Sequence, residues 1–293
     1  MAIKITIVST KGGVGKTTLT ANLGGLLADL GQRVLLVDAD IQPTLSSYYP
    51  LQLRAASGLS NLVTRSAPVD VISRTVFEGL DIVVSDDPEG RLQNWLLYTP
   101  DGRPRLKHVL LSALDSAYDV ILIDTQGAVG PLQDTAVLAA DLILSPIPPE
   151  ILSAREFARG TLEMIDRLRP MARLGTPVAP LRGLIYRQDR TLDARRIAQE
   201  LRAESFAPSR GAITILNTVV PATVAYREAA TQRVPVHRHE PRRAGSTPSA
   251  AHTMLALVDE LFPHLEAHRL AERLQGAPPE STGIPVQARE IRS

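Results

Sequence analysis

The sequence predicts an α/β fold with a doubly wound, mostly parallel sheet flanked by helices. Short runs rich in Val, Ile and Leu alternate with longer stretches of helical periodicity, the order expected of β-α-β units. Several of these runs are apolar at consecutive positions, as expected of strands covered on both faces. The 293 residues can bury a sizeable core. We expect a single domain over residues 1–270 and a disordered tail over the Pro-, Gly- and polar-rich residues 271–293.

Seven strands and five helices are predicted from the hydrophobic pattern. The strands are expected at Ile3–Ser9, Arg33–Asp38, Asp81–Ser85, Asp119–Asp124, Asp141–Ile147, Leu181–Tyr186 and Thr214–Val219. The helices are expected at Lys16–Leu30, Arg105–Ala117, Ile151–Leu168, Leu192–Ser205 and Ser249–Leu261. A Pro- and Arg-rich stretch around residues 235–248 is predicted to be a surface loop that carries His237 and His239. Since ligands bind such sheets at the carboxyl ends of the strands, functional residues are expected there.

The composition excludes several classes of site. The chain has no cysteine, which excludes disulfides, thiolate zinc sites and Cys-ligated iron–sulfur clusters. Apolar residues make up 44% of the chain and charged residues 22%, as in ordinary soluble proteins. Since no apolar run approaches the length of a membrane span, we expect a soluble, cytoplasmic protein.

A glycine-rich segment, residues 10–18, separates the first predicted strand from the first predicted helix and reads T-K-G-G-V-G-K-T-T. We call it the phosphate loop, because its glycines let successive backbone N–H groups point at phosphate oxygens and the following helix adds its dipole. Lys16 is placed to bridge the terminal phosphates, and the Thr17 hydroxyl to ligate Mg²⁺. The sequence therefore predicts a site for ATP and Mg²⁺. The expected phosphate-binding residues are Lys11, Gly12, Gly13, Val14, Gly15, Lys16, Thr17 and Thr18.

The second lysine of the phosphate loop, Lys11, resembles the signature lysine of the deviant Walker-A ATPases, the family that contains ParA, MinD and the nitrogenase iron protein. The resemblance extends from residue 1 to about residue 261 and implies a fold like that of the P-loop NTPases. It also implies a homodimer that sandwiches two nucleotides, with each Lys11 reaching the partner's ATP. Lys11 would then act as an arginine finger does in GTPases, where the effect is about 10³–10⁵ in rate. The lack of cysteine excludes an iron protein.

Acidic residues stand at the ends of two predicted strands. Asp38 and Asp40 follow the second strand in the run D-A-D-I-Q-P-T, where a carboxylate can orient water or hold hydrated Mg²⁺. By resemblance, Asp40 positions the attacking water. The strand that ends at Asp124 has the pattern of a Walker B motif, so Asp124 is expected to contact Mg²⁺ through water. The expected catalytic residues are Lys11, Lys16 and Asp40, and the expected metal site consists of Thr17, Asp38 and Asp124.

Three segments depart from or extend this family pattern. The family often reads D-T-P-P after the Walker B acid, whereas here Gln126 and Gly127 replace both prolines. The stretch that ends at Pro149 and Glu150 resembles the family's P-x-x-P-E, which lies near the nucleotide base. Pro221 resembles the proline of a P-R-N segment that borders adenine, with Ala and Thr in place of Arg and Asn.

The charges of the chain are unevenly distributed. Residues 1–150 contain 11 Lys/Arg against 16 Asp/Glu, whereas residues 182–243 contain 12 Arg, no Lys and 6 Asp/Glu. A local basic excess indicates either a surface for a polyanion or an arginine-rich face without a partner. By resemblance to ParA, which binds DNA without sequence preference as an ATP-bound dimer, we expect a DNA surface. Its candidates are Arg195, Arg196, Arg227 and Arg233.

The later sequence resembles ParA more than MinD, since the last predicted helix is acidic and not a basic amphipathic membrane anchor. The leading hypothesis is a nucleoid-associated partition ATPase, stimulated by a ParB-like centromere-binding protein and without a membrane partner. The alternative in the same family is a MinD-like switch that positions a protein cargo or the division machinery. A metabolic phosphotransferase and a nucleotide-binding scaffold without hydrolysis are further alternatives.

Overall fold

A computed structural model describes residues 1–65, 70–209, 213–265 and 267. The strands are β1 (Ile3–Ile7), β2 (Val34–Ala39), β3 (Leu51–Leu53), β4 (Ile72–Thr75), β5 (Leu80–Val83), β6 (Val120–Thr125), β7 (Leu142–Ile147), β8 (Leu181–Gln188) and β9 (Ile213–Pro221). They form one sheet in the order β3-β4-β5-β2-β6-β1-β7-β8-β9. The pairs β3–β4 and β4–β5 are antiparallel, and all other pairs are parallel. The predicted tail, residues 271–293, lies outside the described residues.

Helices connect most of the strands. They are α1 (Lys16–Asp29), α2 (Leu59–Arg65), α3 (Arg91–Tyr98), α4 (Arg105–Val109), α5 (Pro131–Ala139), α6 (Ile151–Glu156), α7 (Leu162–Leu168), α8 (Leu192–Ser209), α9 (Ala225–Gln232), α10 (Val236–His239) and α11 (Ala250–Leu261). A π-helical turn, Leu110–Leu114, continues α4, and a second one, Phe157–Thr161, joins α6 to α7. The helices predicted at Arg105–Ala117 and Ile151–Leu168 are therefore interrupted, because each contains a turn with a wider hydrogen-bond pattern.

Two different sets of helices bury the two faces of the sheet. Leu36 and Leu122 pack in a core with residues of α1 and α11. Their chain neighbours Leu35 and Ile121 pack in a second core with residues of α4 and α5. Because side chains alternate between the faces of a strand, a strand covered on both sides is apolar at every position. This arrangement confirms the doubly wound, mostly parallel sheet that the sequence predicts.

The segment predicted as a surface loop forms α10, and it is buried at two positions. Val236 and His237 are both 0% exposed. His237 Nε2 lies 2.7 Å from Asp29 Oδ2, and Arg238 donates to both oxygens of the same carboxylate. The expectation that His237 lies at the surface was wrong, because Asp29 at the end of α1 provides the partner that a buried imidazole needs. His239 is half-buried and lies 3.1 Å from Glu228 Oε2.

Asp29 is predicted to make stability depend on pH in the acid range. Although burial raises its pKa, hydrogen bonds from Arg238 and His237 outweigh burial and lower the pKa of Asp29 to about 2. The folded pKa lies below the unfolded value of about 3.9, so the stabilisation is present above pH 4 and is lost as the pH falls towards 2. Asp29→Asn should therefore reduce the free energy of unfolding by about 2 kcal/mol at pH 7.

Urea unfolding of both chains at several pH values measures this difference. The gap between wild type and Asp29→Asn should close as the pH falls from 4 to 2. Glu78→Gln, which removes an exposed carboxylate before β5, is the control and should leave stability unchanged within about 0.5 kcal/mol. A variant at Asp29 as stable as the wild type at pH 7 would contradict the prediction.

Candidate nucleotide site

The phosphate loop leaves β1 at the centre of the sheet and leads directly into α1. Gly13 and Gly15 have positive φ angles of 73° and 100°, in the left-handed region that favours glycine. A Cβ atom at Gly15 would lie 2.4 Å from the ring of Tyr186. Gly12 and Gly13 face open space, so the loop backbone is accessible to a ligand. The glycine pattern therefore has two causes: the turn itself and the close packing of β8 against it.

A cavity of about 1080 Å³ opens beside this loop, at the carboxyl ends of the parallel strands. Its size suits a nucleotide, since small-molecule pockets span roughly 300–1,000 Å³. Of the residues predicted from the sequence, those that line it are Gly12, Gly13, Gly15, Lys16, Thr17, Thr18, Asp40, Pro221 and Arg227. Val14 is buried in the loop, and Pro149 and Glu150 do not belong to the cavity wall.

Two buried carboxylates lie beneath the phosphate loop. Asp38 of β2 and Asp124 of β6 are register partners, and both are 0% exposed. Thr17 Oγ1 donates to Asp124 Oδ2 at 2.6 Å, while Asp38 Oδ2 accepts from the backbone N and the hydroxyl of Ser46 at 2.7 and 2.6 Å. Burial raises the pKa of Asp124 to about 7 and that of Asp38 to about 6, and nearby aspartates add to both shifts. The pair therefore favours a neighbouring cation.

The charge of Lys16 acts on Asp124. Its side chain is buried, and Nζ donates to the carbonyl of Lys11 at 3.4 Å. Burial lowers the pKa of Lys16, against the attraction of Asp124 and Asp40. Asp40 itself stands at the cavity wall, where its Oδ1 accepts from the backbone N of Gln42 at 3.0 Å.

The donor set at the base of the cavity fits Mg²⁺. The Thr17 hydroxyl and the Asp38 and Asp124 carboxylates are hard oxygen ligands, and burial raises the pKa of both carboxyls, so their ionised forms would gain from a bound cation. No group of three or more His, Cys, Asp or Glu residues arranged to hold a metal is found in the described parts of the chain.

Both the side chain and the backbone N–H of Lys11 form hydrogen bonds within the same chain. Its Nζ donates to Ser153 Oγ on α6 at 2.9 Å, and its backbone N donates to Ser9 Oγ at 3.2 Å. Ser153 Oγ lies 3.5 Å from Glu150 Oε2. The segment that contains Pro149 and Glu150 thus borders Lys11 and not the cavity.

The four predicted DNA arginines lie on different parts of the molecule. Arg195 and Arg196 are neighbours on α8 and exposed, with Arg196 Nε donating to Glu200 Oε1 at 2.8 Å. Arg227 lines the cavity. Arg233 follows α9 and donates to the carbonyls of Ser47 and Tyr49 at 3.1 and 2.8 Å.

Several cavity residues were not identified from the sequence. Arg187, which has a positive φ of 61°, donates to the carbonyl of Gly13 at 3.2 Å. Gln126 and Gly127 line the cavity after β6, and a Cβ at Gly127 would lie 2.8 Å from Gly12 Cα. The glycine at 127 is therefore required by the close approach of two loops. Their position at the carboxyl ends of β6 and β8 is the signal that could have found them.

Comparisons with known proteins agree with this site. A family model described as an AAA domain matches residues 2–172, more than half of the chain. The chromosome-partitioning ATPase Soj of Thermus thermophilus is 30% identical over 273 residues, which cover 90% of this chain and 96% of Soj. This chain belongs to the ParA/MinD family. The chromosome partitioning protein ParA of Caulobacter vibrioides is 29% identical to this ParA-type chain over 248 residues, which cover 83% of the chain and 89% of that protein.

A solved structure supports the fold of this ParA-type chain. McdA from Cyanothece, without nucleotide, has a TM-score of 0.71 at 20% identity, with 94% of this chain and 100% of McdA covered. A variant of McdA has been solved in complex with ATP. The family and the P-loop NTPase-like fold expected from the sequence are thus confirmed. No helix in the described ranges combines the length and the apolar character needed to cross a bilayer.

Proposed function

We propose that this chain is a DNA partition ATPase that binds ATP and Mg²⁺ in the cavity beside the phosphate loop. Two ATP-bound chains form a dimer that binds DNA without sequence preference. A ParB-like centromere-binding partner then stimulates hydrolysis to ADP and phosphate and releases the DNA. The observation that carries the proposal is that Lys16 and Thr17 line this cavity, with the buried Asp124 hydrogen-bonded to Thr17 and acting on the charge of Lys16, in a chain 30% identical to Soj.

The chain's own residues account for phosphate binding. The open backbone at Gly12 and Gly13 offers N–H groups to phosphate oxygens, and the start of α1 adds its positive dipole end. The Lys16 ammonium neutralises the terminal phosphates. Thr17, Asp38 and Asp124 would hold Mg²⁺, which, when bound, neutralises charge on the phosphate oxygens.

Hydrolysis requires an attacking water that is held in position and a cation that neutralises the charge developing in the transition state. Asp40 accepts a hydrogen bond from the attacking water at the open side of the cavity. The water oxygen bonds to the γ-phosphorus while the bond from phosphorus to the ADP oxygen breaks. In the dimer, the Lys11 ammonium leaves its hydrogen bond with Ser153 and contacts the nucleotide bound by the partner. There it stabilises the negative charge that develops in the transition state. Basal turnover is slow because a second chain has to complete the site.

The nucleoside end is assigned to the opposite side of the cavity. Since Thr17, Asp124 and Lys16 mark the terminal phosphates, the base extends towards Pro221, which lines the cavity at the end of β9. Pro149 and Glu150 border Lys11 in the single chain. Any contact between them and a base therefore belongs to the closed dimer.

The DNA surface is assigned first to α8. Arg195 and Arg196 are both exposed there, and nonspecific DNA affinity comes from arginine and lysine contacts with backbone phosphates and the release of counterions. Arg233 donates hydrogen bonds to backbone carbonyls and Arg227 lines the cavity, so these two are expected to contribute less to DNA affinity. In the cell, such a dimer would be cytoplasmic and associated with the nucleoid.

DNA co-sedimentation with ATP, with ADP and without nucleotide tests the proposal. Wild-type protein should be retained on DNA only with ATP, and the logarithm of its affinity should fall linearly with the logarithm of the salt concentration. Arg195→Glu with Arg196→Glu should abolish retention, since charge reversal repels phosphates, while the ATP-dependent dimer still forms in gel filtration.

The matched control is Arg54→Glu with Arg65→Glu, which reverses two exposed arginines outside α8. It should retain DNA binding. Unaltered retention by the α8 variant would show that the surface is misplaced, and retention by wild type without nucleotide would contradict the ATP-dependent switch.

A further inference from the structure

Gln126 occupies the cavity wall two residues after Asp124, where the family pattern has proline. We propose that Gln126 is a catalytic residue that positions the attacking water through its side-chain carbonyl oxygen. The proposal rests on the ATPase function put forward above and adds a second residue to the water site of Asp40. Both side chains line the same cavity. A proline at 126 has no hydrogen-bonding side chain, so a chain with the family's D-T-P-P pattern lacks this acceptor.

The backbone of Gln126 is fixed next to the phosphate loop. Gln133 of α5 is 0% exposed, and its Nε2 donates both to the carbonyl of Gln126 at 3.3 Å and to the carbonyl of Ser9 at 3.4 Å. One buried amide thus ties the end of β6 to the start of the phosphate loop. The next residue, Gly127, approaches Gly12 so closely that a side chain does not fit between them. Residue 126 is therefore held beside Gly12 and the carbonyl of Lys11, and that carbonyl accepts from the Lys16 ammonium assigned to the terminal phosphates.

The side chain of Gln126 is oriented as well. Its Nε2 donates to the carbonyl of Ala128 at 3.3 Å and to Gln93 Oε1 of α3 at 3.4 Å. A backbone carbonyl can only accept, so the NH₂ group must face Ala128 and the orientation of the amide is determined. Within the described residues, Gln126 Oε1 makes no hydrogen bond. The residue is 8% exposed and lines the cavity, so its Oε1 is left as an oriented acceptor without a partner in the described chain.

An oriented carbonyl oxygen suits a nucleophilic water. The water donates one O–H to Oε1 and directs a lone pair at the γ-phosphorus. Its oxygen forms the new P–O bond, the bond to the ADP oxygen breaks, and the proton leaves with the phosphate product. An amide does not accept that proton, so the group contributes position, as the water-orienting glutamine of GTPases does. Asp40 can accept the second O–H of the same water.

The test measures phosphate release by the full chain with saturating ATP, Mg²⁺ and DNA, together with affinity for a fluorescent ATP analogue. Gln126→Ala should lower kcat by about 100-fold and leave ATP affinity within about twofold, because the contact is made to water and not to the nucleotide. Gln126→Leu places a side chain of similar size but without a hydrogen-bond acceptor in the cavity wall. It should show the same loss of kcat, which would exclude an empty space in the wall as the cause. Gln52→Ala, at an exposed position of the edge strand β3, is the control and should turn over as wild type.

Gln93→Leu removes the orienting partner and should give a smaller loss of kcat. Combined with Gln126→Ala it should add nothing, since both changes act through one amide. If wild type hydrolyses ATP and both Gln126 variants keep its kcat, the assignment of Gln126 is overturned while the proposed function stands. If wild type itself releases no phosphate even with DNA and the centromere-binding partner, the proposed ATPase is overturned and this assignment with it.

Discussion

Lys11→Ala is expected to reduce ATP hydrolysis by about a thousandfold or more while ATP binding is retained. The ammonium of Lys11 does not line the cavity and instead donates to Ser153 Oγ, so binding of a nucleotide by a single chain does not need it. In the dimer it would compensate charge that develops only in the transition state, and comparable groups in GTPases contribute about 10³–10⁵ in rate. Phosphate release and the affinity for a fluorescent ATP analogue measure the two effects separately.

A mixing experiment shows whether Lys11 acts on the partner's nucleotide. Lys11→Ala and Asp40→Ala are each expected to be inactive alone. In a mixed dimer, the nucleotide on the Lys11→Ala chain has its own Asp40 and receives Lys11 from the other chain, so part of the turnover should return. Lys107→Ala on α4 is the control and should hydrolyse ATP as wild type. Full activity of Lys11→Ala, or mixed dimers as inactive as either parent, would contradict a role across the dimer.

Asp124→Asn should abolish Mg²⁺-dependent hydrolysis and at the same time stabilise the nucleotide-free chain. The carboxylate of Asp124 binds the Thr17 hydroxyl at 2.6 Å and is assigned to Mg²⁺, whose contribution to transition-state stabilisation is several kcal/mol. At 1.36 kcal/mol per factor of ten, the expected loss of rate is about a thousandfold. Asparagine keeps an oxygen for Thr17 but carries no charge, so the fold should remain intact.

The gain in stability follows from the raised pKa of Asp124. Burial raises this pKa to about 7, above the unfolded value of about 3.9, so the folded chain disfavours the ionised form. The resulting cost begins above pH 4 and is complete above pH 7. At pH 8, Asp124→Asn should therefore have a free energy of unfolding higher than that of wild type by on the order of 1 kcal/mol or more, and it should unfold at a higher temperature. Near pH 4, the two chains should unfold at about the same temperature.

Thermal unfolding at both pH values and phosphate release at saturating Mg²⁺ measure the two effects of Asp124→Asn. Asp166→Asn, at an exposed position on α7, should change neither quantity. Normal hydrolysis by the Asp124 variant would remove Asp124 from the metal site. Loss of both stability and hydrolysis would instead indicate a structural role.

The sequence predicted those parts of the site that are local in the chain. The phosphate loop is one contiguous run between a strand and a helix, so its turn, its lysines and Thr17 could be assigned without knowledge of the fold. Asp38 and Asp124 could be predicted because each ends an apolar strand. Their pairing in register across β2 and β6 required the sheet order, which the sequence does not state.

Other features depend on contacts between distant segments. Arg187 reaches Gly13 across 174 positions, and Gln126 is oriented by Gln93 and Ala128. Helix α5 is buried along most of its length, so it lacks the amphipathic period that predicts a helix. The short strands β3 and β4 carry too few residues for an alternating pattern, and His237 is buried only because α10 packs against Asp29.

The hydrogen bond between Lys11 and Ser153 has a consequence for the reversibility of assembly. A lone subunit already satisfies its ammonium internally, so pairing in the proposed dimer would exchange one hydrogen bond for another, and a hydrogen bond contributes only about 0.5–1.5 kcal/mol net. Lys11 would therefore add little to the stability of the pair. After hydrolysis, each subunit would regain its own Lys11–Ser153 hydrogen bond, which would favour separation.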